Sequence, residues 1–181
     1  MSAPAIIQTI YDSGVAEWMR QSLKAMPFVE AAHALAIATV FGTILIVDLR
    51  LLGKAGAHRP FSVVSREMLP KTWVAFAAAV VTGALMFAPN AITYYGNTAF
   101  RLKMLALVLA GLNMAVFHLL TARSPNWEDN AHPPAPGRVA AVLSIALWIT
   151  IIFLGRWIGF TTTRATQSTE PSINLEDLLP K

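Results

Sequence analysis

Residues 27–52 read PFVEAAHALAIATVFGTILIVDLRLL, and this stretch decides the fold. The hydrocarbon core of a bilayer is about 30 Å thick, and roughly 20 apolar residues in a helix cross it. The stretch is long and apolar enough to do so. It also carries Glu30, His33 and Asp48, ionisable groups of a kind that face protein or water rather than lipid. Helical geometry puts Glu30 and His33 on adjacent turns of one face. Asp48 follows Glu30 by about five whole turns and so points the same way. Ile37, Phe41 and Ile44 continue that face, which the pattern turns toward other helices. Arg50 points roughly opposite Asp48, and its long stem is expected to snorkel to the headgroups.

The flanking sequence repeats the theme. Of 181 residues, 55% are hydrophobic and only 13% charged, against about 25% charged in a soluble domain. That leaves too little polar surface to coat a globule in water. Three further apolar blocks, at about 71–88, 100–122 and 138–160, predict three more spanning helices. The expected fold is all-α: an integral membrane bundle, with a four-helix transmembrane domain over residues 27–160. Upstream, residues 1–26 place Ile7, Ile10, Tyr11, Val15, Trp18 and Met19 against Asp12, Glu17, Arg20 and Lys24 at helical spacing. That pattern predicts one amphipathic helix lying in the interface, anchored by Trp18. A short amphipathic helix is expected from Pro60, with Pro70 and Trp73 marking the entry to the second span. Tyr94 and Tyr95 read as an aromatic belt. Residues 161–181 read as a polar tail.

Several chemistries have no sequence support. There is no cysteine, hence no disulfide or thiolate chemistry. No nucleophile–base pair, phosphate loop or dinucleotide fingerprint occurs, so hydrolytic chemistry is not expected. The net charge of +4 fits contact with anionic lipid. It does not point to nucleic acid, because no basic run is interleaved with aromatics. The loops hold fewer than about 20 residues, below the roughly 40 at which even a marginal domain folds alone.

Four spans put both ends of the chain on one side, here side A. Lysines and arginines divide evenly between the sides, but the dense run within residues 50–71 favours side B as cytoplasmic and both termini as periplasmic. Two polar clusters are then expected. Side A gathers Glu30, His33, Asn97, Arg101, Lys103, Arg156 and Trp157 into a pocket. Side B gathers Asp48, Asn113, His118 and Arg123. Expected ion pairs are Glu30 with Arg101 or Arg156, and Asp48 with Arg123. Such pairs either fix which helix sits beside which or line a functional pocket.

His33 and His118 invite a haem b reading, since imidazole is a common metal ligand and helix bundles hold haem. The two lie near opposite faces, separated by roughly 20 Å at about 1.5 Å per residue. One iron cannot take both from one chain. A side-A haem would need His33 with Met104 or Met86, or His33 from two protomers. A side-B haem would need His118 with His58 or His132.

The runs VEAAHALAIATVFGTILIVDLRLLG, YYGNTAFRLKMLALVLAGLNMAVFHL and GRWIGF resemble an uncharacterised family of small bacterial four-helix inner-membrane proteins. The resemblance implies a multi-pass location in the bacterial inner membrane and carries no reaction. In layout the chain is more loosely similar to b-type cytochromes and copper-resistance membrane proteins. Three functions are expected to compete. One is a binding or redox module holding haem b, or a quinone whose carbonyl His33 contacts. Another is proton-coupled transport or small-anion binding through Glu30, His33, Asp48 and Arg156. The last is a structural subunit, as a homodimer or within a membrane complex.

Overall fold

A computed structural model describes residues 3–56, 59–117, 119 and 135–167, with side chains through residue 161 in the last helix. Its elements are α1 (Ala5–Tyr11), α2 (Gly14–Gln21), α3 (Ala25–Leu51), α4 (Phe61–Phe87), a 3₁₀ turn at Ala88–Asn90, α5 (Ala91–Gly96), α6 (Thr98–Val116) and α7 (Ala135–Gln167). Four helical segments are long and apolar enough to cross a membrane: Ala25–Leu51, Phe61–Gly96, Thr98–Val116 and Ala135–Thr161. Their outward faces carry Leu35, Val74, Val108 and Phe153, each more than half exposed. A continuous apolar exterior of this kind suits hydrocarbon as the solvent, not water. The protein is an all-α, multi-pass membrane protein.

The spans form two hairpins. α3 packs along α4, and α6 along α7. Among the described residues, the hairpins are joined along α3 and α7, while α4 and α6 share no extended backbone contact. Side chains fill the middle, where Val40, Ala75, Ala106, Trp148 and Ile151 meet. A second cluster of Leu51, Phe61, Phe117 and Ala141 closes the side-B end. There Phe61 and Phe117 meet edge to face at 5.8 Å, bridging the start of α4 and the end of α6. Within the first hairpin, the Thr72 hydroxyl lies 2.8 Å from that of Thr43.

Local chemistry moves several boundaries from their expected places. The amphipathic segment is divided, because the Ser13 hydroxyl accepts from Ala16 N–H and starts a new helix. α1 and α2 pack across the connection between α4 and α6, burying Ala16, Met19, Ala88, Pro89 and Ala91. α4 runs unbroken through Pro70. A proline there leaves the Arg66 carbonyl without its helical donor, a loss that packing on both sides of the break offsets. The segment read as a connection is itself helical, and Tyr94 stacks on Phe100 at 5.6 Å instead of standing alone as a belt residue. α7 continues past Phe160 to Gln167. The Thr161 hydroxyl is satisfied by the Ile158 carbonyl at 2.9 Å, so polar threonine does not interrupt the helix.

Candidate functional site

The two expected clusters fare differently, beginning with side A. Glu30 is exposed on α3. It forms no ion pair with Arg101 or Arg156. Among the described residues the ion pair is Arg59 with Glu67, an exposed contact at 2.6 Å on side B. Arg101 is exposed beside the Tyr95 ring, and Arg156 is exposed beside Phe160. Trp157 stacks on Phe153 at 5.6 Å. Asn97 is used structurally: its Oδ1 caps α6 by accepting from Ala99 N–H and Phe100 N–H, and its Nδ2 donates to Thr161. Lys103 reaches α7, its Nζ 3.5 Å from where a Cβ on Gly155 would sit.

His33 is half-buried against α4. Its Nδ1 lies 2.9 Å from Thr82 Oγ1. The same Thr82 hydroxyl lies 2.7 Å from the Ala78 carbonyl, so imidazole, hydroxyl and helix backbone form one hydrogen-bonded chain. The ring sits so close that a Cβ on Gly83 would fall 3.2 Å from its Cε1. Lys103 is near enough to act on it electrostatically. Met104, the partner expected for an iron, is exposed on α6, and α6 makes no extended backbone contact with α3. Among the described residues, no three of His, Cys, Asp and Glu gather at one point.

Side B is where a cavity forms. About 230 Å³ lies between the two core clusters, walled by α3, α4, α6 and α7. The walls are apolar and aromatic, with Trp73, Phe76, Phe117 and Trp148, and polar groups enter from Asp48, Thr72, Asn113 and Ser144. Asp48 is 5% exposed. The Ser144 hydroxyl hydrogen-bonds its carboxyl, yet Oδ2 is buried with no hydrogen-bond partner among the described residues. Asn113 Nδ2 donates to the Ala140 carbonyl at 2.9 Å, tying α6 to α7 beside the cavity. Trp73 and Met114 line the cavity and are also partly exposed, so they frame a mouth between α4 and α6. His118 and Arg123, expected in this cluster, lie outside the described residues, as do His58 and His132.

Arg50 does not snorkel. It is 2% exposed, and its Nε donates to the Arg59 carbonyl at 2.7 Å. Gly53 and Gly56, with φ of 68° and 64°, turn the α3–α4 connection back over it. Its Nη1 is buried without a hydrogen-bond partner.

The cavity joins residues that helical periodicity on α3 alone could not assemble. Ser144 is the polar break in the apolar run VAAVLSIALWIT, and Thr72 is another such break on α4. Those breaks were the available signal for the residues the sequence reading missed. Phe76 and Trp148 gave none, because an aromatic in an apolar helix reads as packing.

No curated protein and no solved structure matches the chain. The family of unknown function DUF6644 matches residues 21–161, from the end of α2 to the last residue of the fourth span. On that match over most of its length, the chain belongs to the DUF6644 family.

Proposed function

We propose that this protein is a binding module of the bacterial plasma membrane, with side B cytoplasmic, whose ligand occupies the side-B cavity. The observation that carries the reading is the Asp48 Oδ2, buried in an apolar wall with no donor among the described residues to satisfy it. A buried polar atom left unpaired costs about 1–3 kcal/mol, and more for a charged group. A ligand that donates there recovers that loss. The size of the cavity argues for one ring: it exceeds the roughly 150 Å³ apolar cavity that accepts benzene. A quinol head falls in this class, whereas a porphyrin is far larger. Access between α4 and α6 favours a molecule that partitions into lipid.

The test uses p-cresol, a single ring with one hydroxyl donor. Binding is expected to be saturable in the purified protein and to raise its Tm in proportion to RT ln(1 + [L]/Kd). Gly111 borders the cavity, and a Cβ there meets nothing within 4 Å. Gly111 is also exposed, beside Met114 at the mouth, so Gly111→Phe is expected to obstruct entry and weaken binding while the protein stays folded. A wild-type protein that binds no single-ring probe at any accessible concentration would overturn the reading. The polar clusters would then serve packing.

A further inference from the structure

We infer that the ligand of this cavity is an organic cation, a ring-bearing ammonium held between the Asp48 carboxylate and the faces of the surrounding aromatics. The inference rests on the cavity being a ligand site, and it names the ligand's charge. Among the described residues, no lysine, arginine or histidine lines the cavity. Asp48 is thus an acidic group, more than nine-tenths buried, that faces the space with no cationic side chain opposite it among the described residues. Arg50, two positions along, forms no ion pair with it and bonds instead to the Arg59 carbonyl in the α3–α4 connection. Ser144 satisfies the carboxyl from the α7 side only, leaving Oδ2 unpaired.

The aromatics complete the argument. Trp73 and Phe76 come from α4, Phe117 from the end of α6 and Trp148 from α7, so rings stand on several walls. Ring faces carry negative quadrupole density, and several of them around one space recognise quaternary and protonated amines. The preference is strongest where the cation is removed from water. A neutral hydroxyl ligand would satisfy the one oxygen but would draw nothing from the rings beyond apolar contact. Trp73 sits at the mouth and packs edge to face with Phe76 at 6.0 Å, continuing an aromatic path inward from the lipid side.

The experiment compares benzyldimethylammonium, whose single N–H can donate to Asp48 Oδ2, with isobutylbenzene, which replaces the nitrogen by carbon and removes the charge. Equilibrium dialysis of labelled probe against purified protein in nanodiscs gives each affinity. The cation is expected to bind at one saturable site at least tenfold more tightly than its neutral isostere. Asp48→Asn is expected to lose that preference, and Phe76→Leu to weaken the cation several-fold. If Asp48→Asn does not fold, the wild-type comparison of the two probes decides alone. Equal affinity for the two probes would sink the cation inference and leave the cavity as a site for neutral rings. Binding of neither probe, nor of p-cresol, would remove both readings together.

Discussion

A single contact on α3 shows how closely two residues can be coupled. His33 fills the space that Gly83 leaves open, and its Nδ1 is hydrogen-bonded to Thr82 one residue earlier on α4. Alanine in place of glycine normally stabilises a helix interior by about 0.5–1 kcal/mol. Here the new methyl would lie 3.2 Å from His33 Cε1, so the ring, hydrogen-bonded to Thr82, must give way by a few tenths of an ångström. Gly83→Ala is therefore expected to be less favourable in the wild type than in a His33→Ala background by about 1 kcal/mol or more. Unfolding of the four proteins of this cycle in detergent measures the difference. Additive effects would mean that the ring moves aside without loss. Asp48 and Glu30 teach the complementary lesson. They share one helical direction, as spacing alone implies, yet Asp48 is buried and Glu30 is exposed. Direction around a helix is legible in sequence, but the extent of the neighbours along it is not.

Among the elements, α2 is amphipathic, and its apolar side packs on protein. Ala16 is fully buried and Met19 is 2% exposed, while Trp18 on the same helix is 59% exposed. Ala16→Leu is expected to cost about 1–3 kcal/mol by overpacking. It should also speed proteolysis within the first 24 residues relative to the rest of the chain. Unchanged cleavage would mean that α1 and α2 are not held by that contact. Two other elements resisted sequence reading for identifiable reasons. Pro70 looked like a boundary because it removes a backbone donor, but packing carried α4 through it. Thr161 looked like the start of a tail because threonine is polar, but its hydroxyl bonds back to its own helix and takes a donor from Asn97.

For the molecule as a whole, four spans require that reporters at the two termini read the same compartment. The positive-inside rule, applied to the basic run within residues 50–71, makes side B the proposed cytoplasmic side. Alkaline phosphatase fused at either end is expected to be active, and a cytoplasmic reporter such as green fluorescent protein dark. Opposite signals from the two ends would contradict the four-span topology, and matched cytoplasmic signals would invert it. That topology was legible because apolar length is a property of one segment at a time. The cavity was not, because it depends on which helices neighbour one another. Asp48 and Asn113 were visible as polar residues at side-B depth, whereas the walls they share with Ser144, Thr72 and the aromatics exist only once α3 and α7 have joined the two hairpins.

That joining also has an order in time. A ribosome delivers α3 and α4 first, and each hairpin can close on itself within the membrane before the other is complete. The wall that supplies Ser144 and Trp148 belongs to α7, the last of these four spans to be synthesised. A chain halted before α7 can insert its earlier spans and still lack the chamber altogether, so the cavity is not a property of any part of the protein made before that helix.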